Sequence, residues 1–317
     1  MTNSVISHRM HRHEPAVPAD PVTVVHEDAQ VLVVSKPAGM PVHPCGRYRH
    51  NTVLGVLGHT QGHWNLCVTH RLDRPTSGVL LLAKTPAAAA GIRDAMVAHQ
   101  VSKTYLARVR GRFPDTAACD LNILVSQARI GICRVDKALG KPAQTAFTRL
   151  AYDSDSDSSL VRCLPKTGRM HQIRVHLQCL GHPIVDDTIY TRPEWGSHTG
   201  LAATDAVAAR VADAVERDMR ASGADGEDDA QQPLPSEMSS LEPLVDAEGN
   251  SYLCSHCARA AAAAAAGGGG PGQAEANNTA HMMISLHAET YEGPGWRYTA
   301  PRPLWAHFAG AEAGEGE

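Results

Sequence analysis

The stretch from Thr69 to Lys84, THRLDRPTSGVLLLAK, constrains this chain more than any other, because it joins a charged turn directly to an apolar run. The run Val79 to Ala83 has no polar residue and follows a Ser-Gly break, which is typical of a buried strand. One carboxylate, Asp73, stands in the turn between Arg71 and Arg74. The pattern therefore predicts an acid on a loop that is held by a rigid strand.

Two roles are open for Asp73. The flanking guanidinium groups favour its ionised form, which suits a nucleophile better than a proton donor. The spacing Asp-x-Pro-x-x-Gly is also ordinary turn chemistry, in which the aspartate bonds only to its own backbone. The local pattern does not choose between these roles.

Regular structure is predicted on both sides of this stretch. The β-branched runs Val22 to His26 and Val31 to Ser35 flank a short polar turn and indicate a hairpin. Thr85, followed by Pro86, is a good start for a helix over Ala87 to His99. The remaining predictions are strands at Lys103 to Gly111, Thr145 to Tyr152 and Leu160 to Pro165, and a helix from about Met170 to Leu180.

Two residues in these elements are candidates for function. In the strand after residue 102, alternation places Tyr105 on one face and Arg108 and Arg110 on the other, and such a basic face fits a nucleic-acid groove. A strand tyrosine is also common as half-buried core packing. In the second helix, Arg174 lies beside an apolar stripe, where it either needs an anion or extends to solvent.

The charge is divided unevenly along the chain. Residues 1–200 hold 23 Lys and Arg against 15 Asp and Glu, whereas residues 201–317 hold 6 against 18. The first part is suited to a phosphate backbone and the second is not, although solvated surfaces of a neutral protein would give the same counts. Within Val42 to Val53, Tyr48 stands between Arg47 and Arg49. This arrangement can hold phosphates and stack on a splayed base, or form a solvated loop.

Composition also limits the class of protein. No run reaches the roughly 20 apolar residues that a membrane helix needs, so no membrane partner is expected. The eight cysteines are scattered, which favours free thiols and an intracellular, cytoplasmic or organellar location rather than secretion. Cys254 and Cys257 form half of a zinc site, but no second CxxC exists. They are weak metal candidates, and no metal is predicted.

Several motifs, in order, resemble those of the RluA-type pseudouridine synthases. They extend from Val22 to Tyr190, with a last match around Leu286-His287-Ala288. The matching segments are Lys36-Pro37-Ala38-Gly39, Val42-His43-Pro44, His70-Arg71-Leu72-Asp73, Thr76-Ser77-Gly78, Ala83-Lys84, Lys103-Thr104-Tyr105, Gly168-Arg169-Met170-His171-Gln172-Ile173-Arg174-Val175-His176 and Gly181-His182-Pro183-Ile184. The stretch Val42 to Val53 is also similar to the eukaryotic branch that modifies uridine 32 in the tRNA anticodon loop.

The resemblance implies an α+β fold, with a mixed, mostly antiparallel central sheet and flanking helices. It implies an enzyme that isomerises uridine to pseudouridine in RNA without a cofactor, with Asp73 as the catalytic residue. Tyr105 is then expected to contact the target base, and Arg174 to pair with Asp73. Arg71 is implied to hold the flipped-out arrangement and Leu72 to line the pocket. The other expected RNA contacts are His43, Arg47, Tyr48, Arg49, Lys103, Arg169 and His171.

The resemblance also implies a domain plan. Residues 22–193 and 281–310 are expected to form the catalytic domain. Residues 1–21 are interpreted as a linker, which resembles the joint that follows an S4-like domain in eukaryotic relatives. Residues 194–280 are predicted to be a largely disordered, acidic and Ala-Gly-rich insertion, in which Leu201 to Met219 is capable of forming a helix, and residues 311–317 are a tail.

The expected partner is RNA, with tRNA preferred, and no protein partner is indicated. Ribosomal RNA is the alternative substrate, and an inactive RNA-binding relative is the alternative function. A zinc-dependent interaction protein built on the CxxC is a third hypothesis. One departure from the family pattern stands out, because Asp186-Asp187 occupies a position where relatives more often carry glycine-aspartate.

Overall fold

The computed structural model of the protein describes residues 14–128, 130–196, 203–221 and 282–308, together with the short segments 232–233, 244–245 and 251–253. The predictions made for residues 1–13, for Cys254 and Cys257 and for the tail at 311–317 lie outside the described residues. None of the described helices is long and apolar enough to cross a bilayer.

The described residues form fifteen strands, four α-helices and short 3-10 turns. The strands are β1 (Thr23–Glu27), β2 (Val31–Lys36), β3 (Cys67–Val68), β4 (Ser77–Ala83), β5 (Ser102–Arg110), β6 (Thr116–Cys119), β7 (Ile123–Gln127), β8 (Ile132–Val135), β9 (Thr145–Asp153), β10 (Ser158–Pro165), β11 (Gln232–Pro233), β12 (Leu244–Val245), β13 (Ser251–Leu253), β14 (Leu286–Gly293) and β15 (Trp296–Thr299). The helices are α1 (Val53–Gln61), α2 (Pro86–Val97), α3 (Gln172–Cys179) and α4 (Asp205–Ala221).

Ten of these strands form one central sheet. Its order is β1-β2-β4-β14-β5-β10-β9-β6, with β3 added on β4 and β15 on β14. Strands β4 and β14 run parallel, and the other pairs described in this sheet are antiparallel. The predicted α+β fold with a mixed, mostly antiparallel sheet is confirmed.

Local sequence signals account for most element boundaries. The predicted hairpin is present as antiparallel β1 and β2. Helix α2 begins at Pro86, and the Thr85 side chain accepts a hydrogen bond from the Ala88 amide, as an N-cap does. Helix α3 begins at Gln172, two residues after the predicted start, because His171 has a left-handed backbone (φ +54°) and cannot belong to the helix.

Strand β5 separates two buried clusters. Tyr105, Ala107 and Val109 pack on one side, and Leu106 packs with Leu160 on the other. Arg108 follows Leu106 to that second side, where its Nε donates to the Ser158 hydroxyl and its guanidinium lies 5.5 Å from the Phe308 ring centroid. The side of the strand that lines the larger part of a cleft is that of Tyr105, and neither Arg108 nor Arg110 lines that cleft, so the nucleic-acid groove on the basic face stays a prediction.

Part of the segment predicted to be a disordered insertion is folded. Helix α4 buries an apolar face, including Val207, Ala208 and Val211, against Tyr190 and Trp195. The predicted helix at Leu201 to Met219 thus exists with slightly later bounds, and it packs against the residues that precede the segment. Its i, i+3, i+4 spacing of small apolar residues explains why it docks there.

Candidate active site

A cleft of about 560 Å³ lies beside β5 and the start of α3. It brings together all three predicted catalytic residues and several predicted RNA contacts. Those in its wall are Arg71, Leu72, Asp73, Lys103, Tyr105, Arg169, His171 and Arg174. Residues far apart in the sequence thus converge on one depression.

A larger cavity, of about 860 Å³, lies between the β1-β2 hairpin, α2 and β15. Its wall includes Asp28, Trp296 and Tyr298, and none of the predicted site residues. Asp28 is engaged in its own turn, where its carboxylate accepts from the Gln30 and Val31 amides. The smaller cleft, with its free carboxylate among basic groups, is therefore the candidate active site.

Asp73 faces a cation and a histidine that are distant from it in the sequence. Its Oδ2 atom lies 3.5 Å from Arg174 Nη1 and 3.8 Å from His171 Nε2, and its side chain is 27% exposed. Arg74 turns away from it, and its Nη1 donates to the Tyr48 hydroxyl at 3.0 Å. The expectation that Arg74 stabilises the carboxylate must therefore be corrected, since the guanidinium within 4 Å of Asp73 is that of Arg174, on a distant helix.

Arg174 is buried and is held mainly by a second carboxylate. Its Nε donates to Asp187 Oδ2 at 2.6 Å and its Nη2 to Asp187 Oδ1 at 2.9 Å. Burial acts to lower the pKa of Arg174, but the charges of Asp187 and Asp73 outweigh burial and raise it. Arg174 is therefore a permanent cation beneath the cleft, and it does not extend to solvent.

Asp187 was not identified as a site residue. It is fully buried, and it also accepts hydrogen bonds from the amides of Ile189 and Tyr190. Burial acts to raise the pKa of Asp187, but Arg174 and these amides lower it, so the group is ionised. The only sequence signal was the adjacent pair Asp186-Asp187, which gave no indication of which member is buried.

His171 lies between Asp73 and the protein interior. Its Nδ1 is 3.0 Å from the Tyr190 hydroxyl. Burial, with the nearby Arg174 charge, lowers the pKa of His171 to about 4. The ring is therefore neutral at pH 7 and acts as a hydrogen-bonding group in the wall of the cleft.

Tyr105 and Tyr291 form a hydroxyl pair in the wall. Their oxygen atoms are 2.5 Å apart, and the Tyr291 ring stacks on His70 with centroids 4.9 Å apart. Burial raises the pKa of Tyr105, and the nearby Asp73 charge acts in the same direction. The phenol therefore stays protonated at neutral pH. Tyr291, which also lines the cleft, is not among the predicted site residues.

The loop of Asp73 is anchored at two points that follow Asp73 in the chain. At its end, Gly78 has φ +110° and lies so close to β14 that a Cβ atom would be 2.1 Å from the Ala288 carbonyl oxygen, so only glycine fits. Directly after Asp73, the Arg74 carbonyl accepts a hydrogen bond from buried Lys36 at 3.0 Å, and Lys36 also donates to the Met40 carbonyl at 2.7 Å. These contacts hold the Asp73 backbone in one position.

The basic segment of His43, Arg47, Tyr48 and Arg49 is not part of the cleft wall. The guanidinium near the Tyr48 ring is that of Arg74, 6.0 Å from its centroid, while Arg49 Nη1 donates to the Gly46 and Tyr48 carbonyls. The predicted arrangement of one ring between Arg47 and Arg49 is therefore corrected to a Tyr48–Arg74 contact, which joins this segment to the Asp73 loop.

Metal binding has no support in the part of the chain that the structure describes. No group there combines three or more His, Cys, Asp or Glu side chains that could hold an ion.

Comparison with known proteins agrees with this geometry. Residues 30–179 match the family model for RNA pseudouridylate synthase. The chain is 38% identical to human pseudouridylate synthase RPUSD2, over 96% of this chain and 62% of that protein. It is 46% identical to the mitochondrial tRNA pseudouridine(32) synthase of Saccharomyces cerevisiae, over 62% of this chain and 43% of that protein.

One further relative indicates the branch of the family, and one solved structure indicates the fold. The chain is 36% identical to the dual-specificity RNA pseudouridine synthase RluA of Vibrio vulnificus, over 55% of this chain and 72% of that protein. The solved structure of human RNA pseudouridylate synthase domain containing 4 has the same fold, with a TM-score of 0.53 at 21% identity over 90% of both chains. The chain spans only about three fifths of the human RPUSD2 sequence. It belongs to the RluA-type family of RNA pseudouridine synthases.

Proposed function

We propose that the protein isomerises uridine to pseudouridine in RNA and that Asp73 is its catalytic residue. One observation carries the proposal. Among the described residues that line the cleft, Asp73 is the one acid, and it lies with Arg71, Lys103, Arg169 and Arg174. A single carboxylate in a basic depression fits an enzyme that binds a phosphate backbone and acts on one nucleoside.

The chemistry needs little more than this group. The bond from uracil N1 to ribose C1′ breaks, the base turns, and a bond from C5 to C1′ forms, while the C5 proton is lost and N1 gains one. The product is an isomer, so no oxidant, reductant or energy source is consumed. Glycosidic cleavage commonly uses two carboxylates, one as acid and one as nucleophile. Uracil is a tolerable leaving group without prior protonation, so one ionised Asp73 suffices.

The neighbouring residues support this role. The neutral Tyr105 phenol can contact the target base or help to move its proton, because its hydroxyl lies in the cleft wall. Arg174 places its positive charge 3.5 Å from the Asp73 carboxylate. The target base must leave its stack to reach Asp73, at a cost of a few kcal/mol in a duplex and less in an unpaired loop. Arg71 and Leu72, on the same wall, are placed to hold that flipped-out arrangement.

We further propose tRNA, at uridine 32 of the anticodon loop, as the substrate. The proposal rests on the yeast relative, which is named for that position, and on the basic segment at Val42 to Val53. Because that relative is mitochondrial, we propose a mitochondrial or cytoplasmic location. The catalytic domain is proposed to comprise residues 22–193 and 281–310, with α4 packed on it.

The test is incubation with an unmodified tRNA transcript, followed by mapping of pseudouridine. The matched pair of variants is Asp73→Asn in the cleft and Asp94→Asn on the exposed side of α2. We expect product at position 32 from the unsubstituted and Asp94→Asn proteins and none from Asp73→Asn, with RNA binding retained in all three. Equal product from Asp73→Asn would reject the mechanism.

Other outcomes separate the alternatives. Modification of ribosomal RNA but not tRNA would overturn the tRNA assignment and leave the reaction intact. Binding of RNA without product from any transcript would identify an inactive RNA-binding relative. If Asp73→Asn lost RNA binding, its lack of product would not test the catalytic role of Asp73. The unfolding midpoint of the variant is therefore measured to check that it is folded.

A further inference from the structure

Tyr190 lies behind the cleft and contacts both groups that face Asp73. It is 2% exposed and does not line the cleft itself. Its hydroxyl is 3.0 Å from His171 Nδ1, and its ring centroid is 5.0 Å from the guanidinium carbon of Arg174. One buried side chain thus touches the two neighbours of Asp73 without touching Asp73.

The hydrogen bonds of Tyr190 indicate which nitrogen of His171 carries the proton. The Cys133 amide donates to the Tyr190 oxygen at 3.1 Å. A phenol has one proton to donate, and because the Cys133 amide already donates to this oxygen, we assign the phenol proton to the bond with His171 Nδ1. His171 Nδ1 then accepts, so the proton of the neutral ring is on Nε2. Nε2 is the atom that faces Asp73 Oδ2, at 3.8 Å.

The closest contacts of Asp73 with Arg174 and His171 involve the same oxygen. Arg174 Nη1 and His171 Nε2 make their closest approach to the carboxylate at Oδ2, at 3.5 and 3.8 Å. Two donors near one oxygen favour an orientation of the carboxylate in which Oδ1 is the oxygen left to the substrate. Distances of this length in a free enzyme commonly shorten when the substrate binds.

We infer that Tyr190 is a positioning residue: its hydroxyl fixes His171 in the Nε2–H tautomer, so that His171 and Arg174 together hold Oδ2 of Asp73 and leave Oδ1 as the reacting oxygen. The inference rests on the proposed function, because it assigns Asp73 as the reacting group. The left-handed backbone of His171 fits this role, since it is a conformation that non-glycine residues rarely adopt and that is frequent at functional sites.

The first experiment measures the tautomer directly, in the free protein. The ¹⁵N chemical shifts of the two ring nitrogens of His171 are recorded for the unsubstituted protein and for Tyr190→Phe. We expect a protonated Nε2 in the first and a mixture of tautomers in the second. Phenylalanine keeps the ring beneath Arg174 and removes only the hydroxyl, so the contact with Arg174 is retained.

The second experiment measures turnover on the tRNA transcript. Tyr190→Phe is expected to lower kcat by about tenfold with little change in KM, as the loss of a supporting group does. Tyr152→Phe is the matched control, because its hydroxyl bonds Asp157 on the exposed β9-β10 turn. Unfolding midpoints of both variants are measured, so that a lower activity caused by a less stable protein is not attributed to the loss of the Tyr190 hydroxyl.

A pair of substitutions at His171 separates the two ring nitrogens. The amide nitrogen of His171→Gln reaches the position of Nε2 and can donate to Asp73, whereas the amide of His171→Asn reaches only the position of Nδ1 and can bond only to Tyr190. We expect His171→Gln to keep at least tenfold more activity than His171→Asn. A merely structural role would favour asparagine, which tolerates the left-handed backbone better than glutamine.

The outcomes are distinct from those that test the proposed function. If the unsubstituted protein forms no pseudouridine, the proposed function fails and the ¹⁵N measurement still decides the tautomer. A protonated Nδ1 in the unsubstituted protein would overturn the inference. With an active unsubstituted protein, unchanged turnover in Tyr190→Phe, or equal activities of the two His171 variants, would also overturn it.

Discussion

Arg174 donates with two of its guanidinium nitrogens to Asp187 and presents the third to Asp73. The two short bonds, of 2.6 and 2.9 Å, fix the plane of the guanidinium, and the longer contact of 3.5 Å then follows from that plane. Asp187 therefore acts on Asp73 through Arg174. The buried partner of the arginine, and not the arginine alone, determines where the positive charge lies in the cleft.

We predict that Asp187→Asn destabilises the protein by roughly 3–5 kcal/mol, because it leaves the buried Arg174 without its paired charge. Activity should fall as well, since the freed guanidinium can reorient toward Asp73. The matched control is Asp186→Asn, whose carboxylate is exposed and bonds the Ser285 hydroxyl. Urea unfolding and pseudouridine formation should distinguish the two neighbours, and equal effects would contradict the assignment of Asp187.

The hydroxyl pair of Tyr105 and Tyr291 predicts a non-additive effect on stability. Removing one hydroxyl leaves the other buried without a partner, which costs about 1–3 kcal/mol. Removing both leaves no unsatisfied group. We expect Tyr105→Phe and Tyr291→Phe each to lower the free energy of unfolding, and the double variant to lower it by less than their sum. Additive losses in this double-mutant cycle would show that the bond is not formed.

The same variants separate chemistry from packing. Tyr105→Phe should abolish or strongly reduce pseudouridine formation if its hydroxyl contacts the base or moves its proton. Tyr291→Phe should have a smaller effect, because Tyr291 bonds only the hydroxyl of Tyr105. If Tyr291→Phe and Tyr105→Phe had equal activities, both tyrosines would be assigned a direct contact with the target base.

Sequence patterns predicted the helices and strands whose position depends on residues adjacent in the chain. Period-two alternation is sufficient to place β5, and a threonine cap followed by proline is sufficient to place the start of α2, since both depend on neighbours in the chain. The residues Asp73, Tyr105 and Arg174 were selected by resemblance, and the structure brings them to one cleft. Local pattern alone left each of them with a structural alternative.

The missed residues depend on contacts that no local pattern contains. Tyr291 is 186 positions from Tyr105, and the two meet only because β14 pairs with β5. Asp187 looks like any turn aspartate until α3 places Arg174 against it. The contact of Tyr48 with Arg74 likewise replaces the predicted neighbours Arg47 and Arg49, because the 42–52 segment folds against the Asp73 loop.

Strand β5 offers a test of the RNA-binding surface within one element. Lys103 lines the cleft, whereas Arg108 lies on the opposite face against Phe308. We predict that Lys103→Met weakens tRNA binding and lowers the slope of log Kd against log salt by about one, as the loss of a phosphate contact does. Arg108→Met should leave affinity and slope unchanged. A fluorescence binding series between 50 and 200 mM salt, roughly the range in which such contacts respond, would make the comparison, and equal losses would contradict this choice of face.

The buried histidines predict how stability depends on pH. Burial lowers the pKa of His70 to about 3 and those of His171 and His287 to about 4, from an ordinary value of 6.5. Between pH 6.5 and 4 the unfolded chain binds protons at these rings and the folded protein does not, so the free energy of unfolding should fall as the pH falls. Each ring contributes up to about 1.4 kcal/mol per pH unit.

Urea unfolding at several values between pH 7 and 4.5 would measure this slope. The variant His287→Asn should show a shallower slope than the unsubstituted protein, because one of these buried rings no longer takes up a proton on unfolding. Its side chain keeps a group able to bond the Ser77 hydroxyl, which His287 Nδ1 contacts at 2.8 Å. A free energy of unfolding that stays constant from pH 7 to pH 5 would mean that these rings take up protons at the same pH in the folded protein as in the unfolded chain, and the lowered pKa assigned to His171 would then be wrong.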